Sequence, residues 1–315
     1  MILPTQYTVI PILLLLILGI DVTLFTVTVI IPSIAITQSL TLNLIYIQTG
    51  DLDQAVSAST YAALVVAALW IFGFILRYAR GKKLESLIPM PEYAKILVLF
   101  IGVLLIPLIN LQYFVYYVYH NVVALFTQPI FSFLGAYGTT VVIPIAVVIY
   151  TLSSQYLLRA VEGMKASPFM VATLASSIIG ALSLVTLTLS SALLNYVMQL
   201  TETTIAPFIA IALALLAILS IRELRRAFIE LKPEAIVQIP TIFSVLMPYV
   251  YYVMPDLYTA MIMLLAGLTV ALNAAAAIAG LGLGNRRILI AAAGLNSALL
   301  FVTTSMYPPS SVSQA

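Results

Sequence analysis

The sequence contains no cysteine, a single histidine and little charge, since Lys, Arg, Asp and Glu together make up 8% of its 315 residues. Without cysteine the chain forms no disulfide and offers no thiolate ligand or cysteine nucleophile. One histidine supplies too few nitrogen ligands for an ordinary haem or zinc centre, so we predict no intrinsic cofactor and no metal site. The scarcity of charge excludes a soluble globular fold, in which about 25% of residues are charged.

Apolar residues, in contrast, make up 63% of the chain. Because a membrane-spanning helix needs roughly 20 apolar residues, this composition predicts an all-α polytopic transmembrane helical bundle of about nine spans. The whole chain, residues 1–315, is expected to form a single integral membrane domain. The first helix is expected to be retained and to extend to about Ile47, before the polar turn Gln48–Gln54. The predicted spans are Thr8–Ile36, Ala55–Leu76, Ile96–Tyr119, Phe133–Leu157, Phe169–Met198, Ala206–Ile221, Ile236–Met254, Thr259–Leu281 and Ile288–Tyr307.

The charged residues predict how the bundle is oriented. All 13 Lys and Arg residues lie in the loops that follow predicted spans two, four, six and eight, or at their borders. Asp51, Asp53, Glu202 and Asp256 lie in loops on the other side, which carries acids only. The positive-inside rule therefore puts the amino terminus in the cytoplasm and the carboxyl terminus outside, in a multi-pass protein of the plasma membrane. No basic stretch interleaved with aromatic residues occurs, so nucleic acid is not an expected partner.

Aromatic residues are concentrated at the predicted outer face. They have two interpretations: an aromatic belt at the membrane interface, or a docking platform for an extracytoplasmic partner and the mouth of an apolar ligand site. The sequence does not separate the two. The residues are Tyr113, Phe114, Tyr116, Tyr117, Tyr119, Phe126, Phe131 and Phe133 around the end of span three, and Tyr249, Tyr251, Tyr252 and Tyr258 between spans seven and eight.

Two titratable residues are the candidate catalytic groups. Asp21 is expected near the bilayer midplane, where a carboxylate costs roughly 2.5 to 3.5 kcal/mol and must face the bundle interior or be protonated. It has three interpretations: a neutral carboxyl bonded to a neighbouring helix or a threonine, a proton-relay or quinone-contacting group, or an ion-coupling site. His120, at the outer end of span three, is either an interfacial hydrogen-bonding residue or the acceptor of a quinol proton.

Amide side chains recur within the predicted spans, at Asn110, Gln112, Gln155, Asn195, Gln199, Asn273 and Asn296. Such amides commonly bridge helices in membranes, each for about 1 kcal/mol. A quinone carbonyl also needs a few such donors in an apolar cleft, so a subset near the outer face forms the candidate quinone-binding site. The ligands expected there are quinone and bound lipid, and the subset is Asn110, Gln112, Asn195 and Gln199.

The layout of the first helices resembles that of the quinol-oxidising subunit of cytochrome bd oxidases. The resemblance covers about 200 residues in hydropathy and turn placement: the long first helix leading into Tyr46–Gly50, then Ala55–Leu76, the stretch Phe131–Arg159, and Ser167–Gln199. This chain has Asp21 near the position where that family has a haem-ligating histidine, and nothing replaces the other haem ligands. The resemblance therefore implies a protein that has lost its haems and does not reduce oxygen.

In size and composition the chain is also similar to two other groups of membrane subunits. One is the haem-free subunit that accompanies an exported b-type cytochrome in archaeal cytochrome bc-like respiratory complexes. The other comprises the cofactor-free quinol-binding anchors of molybdopterin oxidoreductases. High Ile, Leu, Ala and Tyr without cysteine is compatible with a thermophilic source.

These features favour a haem-free integral membrane subunit of a respiratory electron-transfer complex. It would offer a quinone- or lipid-lined cleft and an outer docking surface, and be at most a non-catalytic or quinone-binding subunit of an oxidoreductase. Its expected partners are other membrane subunits, lipid, and an extracytoplasmic cytochrome or redox protein. The alternatives are a proton-coupled secondary transporter for a small apolar solute, with Asp21 as the coupling carboxylate, and a structural scaffold subunit.

Overall fold

The computed structural model describes residues 5–84, 88–108, 139–199, 212, 215–230, 232, 235–236, 238–239, 250 and 254–306. Within these ranges the protein is all-helical and contains no strand. A π-helical segment, Thr26–Ile30, joins α1 to α2; a second, Ala276–Gly282, extends α8; and a 3-10 turn, Ile106–Leu108, extends α4. The helices are α1 (Thr5–Phe25), α2 (Ile31–Thr49), α3 (Leu52–Ala79), α4 (Glu92–Leu105), α5 (Thr139–Glu162), α6 (Pro168–Gln199), α7 (Arg222–Ile229), α8 (Pro255–Ala275) and α9 (Arg286–Met306).

Among the described residues, three helical segments are long and apolar enough to cross a membrane: Ile12–Thr49, Leu52–Ala79 and Pro255–Gly282. The last two contain 28 residues each. At 1.5 Å per residue each reaches about 42 Å, more than the hydrocarbon thickness of about 30 Å. The all-α class and the presence of helices long and apolar enough to cross a membrane agree with the sequence-based prediction, whereas the count of nine spans and their orientation stay predictions.

The hairpin between α2 and α3 is formed by two local signals. Gly50 ends α2 in the left-handed conformation, with a φ of 69°, which a residue without Cβ adopts freely. Asp51 then caps α3, because its Oδ1 accepts hydrogen bonds from the amides of Asp53 at 2.9 Å and Gln54 at 3.2 Å. The predicted polar turn Gln48–Gln54 is thus the point where the chain reverses.

Helix α1 is broken at Gly19, whose φ of 78° and ψ of 173° are not helical. L-residues rarely adopt this conformation, so the glycine permits a sharp bend inside an apolar run. The predicted first span, Thr8–Ile36, therefore differs from the structure, in which one helix ends at this bend. The helical segment that follows Gly19 continues to Thr49, close to the expected end at Ile47.

Contacts on either side of the bend give its direction. The amide of Gln38 in α2 lies 3.5 Å from the carbonyl oxygen of Pro107, so these two residues mark one height in the bundle. Measured along the helix axis, Asp21 lies about 25 Å from Gln38, whereas Gly102 lies only about 8 Å from Pro107. Gly102 is therefore much closer than Asp21 to the height that Gln38 and Pro107 share. Leu14 lies 3.7 Å from the Cβ position of Gly102. The segment before Gly19 therefore folds back alongside the bundle.

The loops that carry basic residues meet at one end of the bundle. The guanidinium of Arg287, at the start of α9, pairs with Glu162 at the end of α5 at 2.6 Å. Arg286 donates to the carbonyl oxygens of Met164 at 3.2 Å and Ala166 at 2.7 Å, in the loop before α6. These bonds join the α5–α6 loop to the start of α9.

The loop between α3 and α4 lies at the same end. Arg77, in the last turn of α3, lies 4.8 Å from the ring centre of Phe169 in the first turn of α6. Lys82 Nζ lies 3.1 Å from the Cβ position of Gly284, just before α9. We call this end, with residues 77–84, 88–95, 159–170 and 283–287, the basic end. The turn at Gly50 lies at the opposite end.

Close packing between α3 and the second π-helical segment depends on glycine. A Cβ atom at Gly73 would overlap the carbonyl oxygen of Ala277, and one at Gly282 would lie 3.1 Å from Leu76 Cβ. Small residues in the predicted eighth span thus let the two backbones approach closely. The core beside this contact includes the fully buried Trp70.

Candidate functional site

Asp21 is half-buried beside the first turn of α6, two residues after the break at Gly19. Ser167 Oγ donates a hydrogen bond to Asp21 Oδ2 at 2.5 Å and accepts one from the amide of Met170 at 3.2 Å. Ser167 is therefore the N-cap of α6, and Pro168 occupies the first helical position, which suits both residue types. The positive end of a helix dipole favours a negative charge at this point.

The bond to Ser167 puts Asp21 at the basic end of the bundle. The expected depth near the bilayer midplane was counted along one straight span from Thr8, whereas α1 is broken two residues before Asp21. The depth of Asp21 in a bilayer stays a prediction. The carboxylate does bond to a neighbouring helix, as one of its three interpretations required, but its partner is a serine of α6. The proton-relay and ion-coupling roles stay predictions.

Aromatic side chains close the bundle next to this carboxylate. The ring of Phe25 packs edge-on against Trp70, with centroids 5.6 Å apart, and against Phe169 at 5.4 Å. Phe74 stacks on the other side of Phe169 at 6.2 Å, and the guanidinium of Arg77 lies over the Phe169 ring. Such contacts combine apolar burial with favourable ring and cation–π geometry.

A line of hydroxyl groups leads from the region of Asp21 toward the interior. Thr28, about 10 Å along the helix from Asp21, donates to Thr173 Oγ1 at 3.4 Å. Its carbonyl oxygen, in the first π-helical segment, accepts from Ser176 Oγ at 2.7 Å. The Ser176 carbonyl in turn accepts from Ser297 Oγ at 2.7 Å. We call these residues the hydroxyl seam; it joins the first long helix to α6 and α9.

Asn273 and Asn296 form a buried pair that bridges α8 and α9. Each Nδ2 donates to the other's Oδ1, at 3.0 and 2.8 Å, and Asn273 Nδ2 also donates to the Thr269 carbonyl oxygen at 2.8 Å. Both side chains are at most 1% exposed. The prediction that amides bridge helices is confirmed for these two residues.

A second pair of buried carboxamides consists of Gln155 in α5 and Gln238. Gln238 Nε2 donates to the carbonyl oxygen of Thr151 at 3.1 Å and to Ser154 Oγ at 3.0 Å. Gln238 Oε1 and Gln155 Nε2 are buried without a hydrogen-bond partner in the described structure. The exposed fractions of Gln155 and Gln238 are 3% and 2%. We call these two side chains the glutamine pair.

Sequence reasoning missed three of the polar residues that the structure singles out. Gln238 lies within the predicted span Ile236–Met254, and Gln38 lies in the expected extension of the first helix beyond Ile36, so an apolar run interrupted by an amide was the available signal for both. Gln38 Nε2 reaches the carbonyl of Pro107, while its buried Oε1 lacks a partner among the described residues. For Ser167, the signal was a serine followed by proline at the start of a predicted helix, which is typical of an N-cap.

The other candidate residues fall outside the side chains that the structure describes. Asn110, Gln112 and His120 lie outside the described residues. Asn195 and Gln199 lie four residues apart on the backbone of α6 and hence on one helix face, but their side chains are not among those described. In the described part of the chain, no group of three or more His, Asp or Glu residues could hold a metal ion.

Tyr258 is the one member of the predicted outer aromatic groups within the described ranges. Its side chain is 2% exposed and belongs to an apolar cluster with Ile36, Leu40 and Leu295. A side chain buried in this way contributes neither to an interfacial belt nor to a docking surface, so both interpretations fail for this residue.

Comparison of the chain with protein-family models, with curated proteins and with solved structures found no match. The class that the fold itself defines is an all-helical protein with helices long and apolar enough to span a membrane.

Proposed function

We propose that the chain is a multi-pass plasma-membrane protein of about nine spans whose basic end faces the cytoplasm. The support is that the loops between α3 and α4, α5 and α6, and α8 and α9 meet at one end and carry Lys and Arg. The acid-bearing turn at Asp51 lies at the other end. This asymmetry is what the positive-inside rule requires.

Within that membrane domain, we propose a haem-free subunit of a respiratory electron-transfer complex, with a quinone- or lipid-lined cleft and a surface for partners that carry the redox centres. The observation that supports a proton-handling role is the half-buried Asp21 at the basic end, whose carboxylate accepts a hydrogen bond from Ser167. A quinone that gains two electrons also takes up two protons, so its site needs a route to water. Asp21 is positioned to exchange protons at the cytoplasmic end of that route.

The first experiment identifies partners. After gentle solubilisation from native membrane, we expect the protein to co-purify with redox subunits and to give a cytochrome band in a reduced-minus-oxidised spectrum. Recovery of a stable single-chain particle without any redox partner would contradict the respiratory role.

The second experiment tests Asp21 in the assembled complex. Asp21→Asn keeps the side-chain size and removes the titratable group, so we expect quinol turnover to fall roughly 100-fold, as is typical for loss of an acid–base group. His120→Ala is expected to slow turnover as well. Asp53→Asn, in the exposed turn at the opposite end, is the matched control. Unchanged turnover in Asp21→Asn with normal assembly removes Asp21 from the mechanism.

The broken first helix favours the second candidate function, a proton-coupled secondary transporter. Helices interrupted within the membrane are a recurrent element of such transporters, and their broken ends form ion and substrate sites. Here the break at Gly19 lies two residues from a carboxylate. Proton-driven uptake of a small apolar solute into vesicles that contain the purified chain alone, abolished by Asp21→Asn, would favour this function over the respiratory one.

A further inference from the structure

The glutamine pair lies apart from Asp21 and takes no part in the hydroxyl seam. Gln155 is seven residues before Glu162, which puts it about 10 Å along α5 from the basic end. Gln238 is attached to the preceding turn of the same helix through Thr151 and Ser154. Gln155 thus lies on the turn of α5 that Gln238 contacts, inside the membrane-embedded region of the proposed topology.

The orientation of Gln238 is fixed by its partners. The carbonyl oxygen of Thr151 only accepts hydrogen bonds, so the group 3.1 Å from it must be the amide nitrogen of Gln238. Exchanging nitrogen and oxygen would set two carbonyl oxygens against each other. The oxygen of this carboxamide is thus a buried acceptor, and it has no partner among the described residues.

Gln155 offers a hydrogen-bond donor instead of an acceptor. Its Nε2 is a buried donor that likewise lacks a partner in the described part of the chain. Polar groups buried without a hydrogen bond are rare in folded proteins, because each loses its bonds to water and gains nothing in return. Gln155 Nε2 is thus an unpaired donor and Gln238 Oε1 an unpaired acceptor at the same turn of α5, and a group that both donates and accepts can satisfy the two.

We propose that the glutamine pair binds the hydroxyl group of a neutral, lipid-soluble ligand. The hydroxyl oxygen accepts a hydrogen bond from Gln155 Nε2, and its proton is donated to Gln238 Oε1. A hydroxyl combines donor and acceptor in one group. The polar groups that contact the pair are a backbone carbonyl and a serine hydroxyl, both uncharged, which suits a neutral ligand.

The surface of α5 suits entry from the bilayer. Ile145, Ile149 and Tyr156 on this helix are 50%, 56% and 69% exposed, so its outer side is apolar and aromatic. The inference deepens the proposed respiratory function, on which it rests, by giving a hydroquinone hydroxyl a second polar contact region toward the cytoplasmic side.

The experiment uses the purified full chain in detergent under reducing conditions. The probe is tetramethylhydroquinone, and its dimethyl ether, which has the same ring but no hydroxyl proton, is the control compound. We expect the hydroquinone to raise the thermal unfolding midpoint and to bind measurably by calorimetry. The ether should do neither, because it has nothing to donate to Gln238 Oε1.

Substitutions at the glutamine pair then test whether the hydroquinone binds at these two residues. Gln155→Met keeps the side-chain volume and loses no hydrogen bond that the structure shows, so it should fold and unfold at a higher temperature than the parent without ligand. Its affinity for the hydroquinone should fall about tenfold. Gln238→Met should abolish the effect, and Gln54→Met, in the exposed first turn of α3, should leave it unchanged.

Equal stabilisation by hydroquinone and ether, or an unchanged hydroquinone affinity in Gln155→Met, overturns the proposal. A density map that shows an isolated water between the two carboxamides, with no hydroquinone binding, also overturns it and assigns the site to water. If redox subunits co-purify but the hydroquinone neither binds nor raises the unfolding midpoint, only this inference is contradicted. If the hydroquinone binds but no redox subunit co-purifies, only the respiratory function is contradicted.

Discussion

At the scale of single residues, the asparagine pair shows how interdependent buried polar groups are. Asn273 and Asn296 satisfy each other across two helices. Replacing Asn296 alone by Leu leaves the Asn273 oxygen without its partner, and such loss costs about 1 to 3 kcal/mol of unfolding free energy. Replacing both residues by Leu should cost clearly less than the single change. Thermal unfolding of the two variants checks this; a double variant that is the less stable of the two would contradict it.

Glu92 is the residue whose charge is expected to give the basic end a pH dependence. Burial acts to raise the pKa of Glu92, but hydrogen bonds from Lys95 and the Leu84 amide, with the charges of Lys95 and Lys83, hold that pKa below its ordinary value of 4.5. The carboxylate lies 2.7 Å from Lys95 Nζ. Because the folded state lowers this pKa, ionised Glu92 contributes stability above the ordinary carboxyl pKa.

That contribution should disappear as the pH falls from 4.5 through the lower folded pKa of Glu92. We expect Glu92→Gln to unfold at a lower temperature than the parent at pH 7, and the difference to shrink steadily in acid. Glu230→Gln is the control, because this side chain is exposed and pairs with Lys232 at the surface. A difference that is the same at pH 3 and pH 7 would exclude the Glu92 charge as its cause.

At the scale of helices, the contact between Gly73 and Ala277 is the most sensitive to side-chain size. Gly73→Ala puts a methyl group onto a backbone carbonyl, which cannot move aside as a flexible side chain would. We expect it to destabilise the protein by about 1 to 3 kcal/mol, as overpacking does. Gly267→Ala is the matched control, because no described atom lies within 4 Å of its Cβ position, and alanine should stabilise the helix there. The thermal unfolding midpoints of both variants test this prediction. Equal changes in the midpoint for Gly73→Ala and Gly267→Ala would contradict the close contact.

The break in α1 offers a second test at this scale. Gly19→Ala forces a side chain into a backbone conformation that is nearly exclusive to glycine, at a cost of about 1 to 3 kcal/mol. The change should also move Asp21 away from Ser167, since the bend positions the start of the crossing helix. Reduced thermal stability together with slower quinol turnover is the expected result. Unaltered stability would show that the helix passes Gly19 unbroken.

The sequence predicts those structural features that are determined by residues a few positions apart. The hairpin at Gly50 and Asp51 could be read directly, because a C-cap glycine and an N-cap aspartate act within a few residues. The bend at Gly19 could not, since hydropathy reports only that leucine and isoleucine flank it. The depth of Asp21 was counted along a presumed straight span that the structure breaks at Gly19, and the depth itself stays a prediction.

The buried amides illustrate the same limit for the candidate sites. Asn273 and Gln155 look alike in sequence, because both interrupt an apolar run. Their roles differ only through tertiary partners: one finds Asn296, and the other lies beside Gln238 without a bond to it among the described residues. Composition therefore identified the class of protein and the polar residues, whereas pairing depends on how the helices pack.

At the scale of the whole molecule, the absence of cysteine makes the proposed topology directly testable. Each single-cysteine variant has one thiol, so a membrane-impermeant maleimide reports one position at a time. Asp53→Cys should react on intact cells, and Lys165→Cys only after permeabilisation. Both side chains are exposed, which keeps reactivity comparable. The reverse labelling pattern would invert the proposed orientation.

The first π-helical segment also determines the rotational phase of the long first helix. A π turn holds one residue more than an α turn, so Thr26–Ile30 offsets the residues after it by about 100° relative to an uninterrupted α-helix. Asp21 faces Ser167 before the segment, and Ser33 accepts the Trp70 indole hydrogen bond at 2.9 Å after it. Deleting one residue within Thr26–Ile30 would keep the chain helical and apolar, yet turn one of these faces away from its partner.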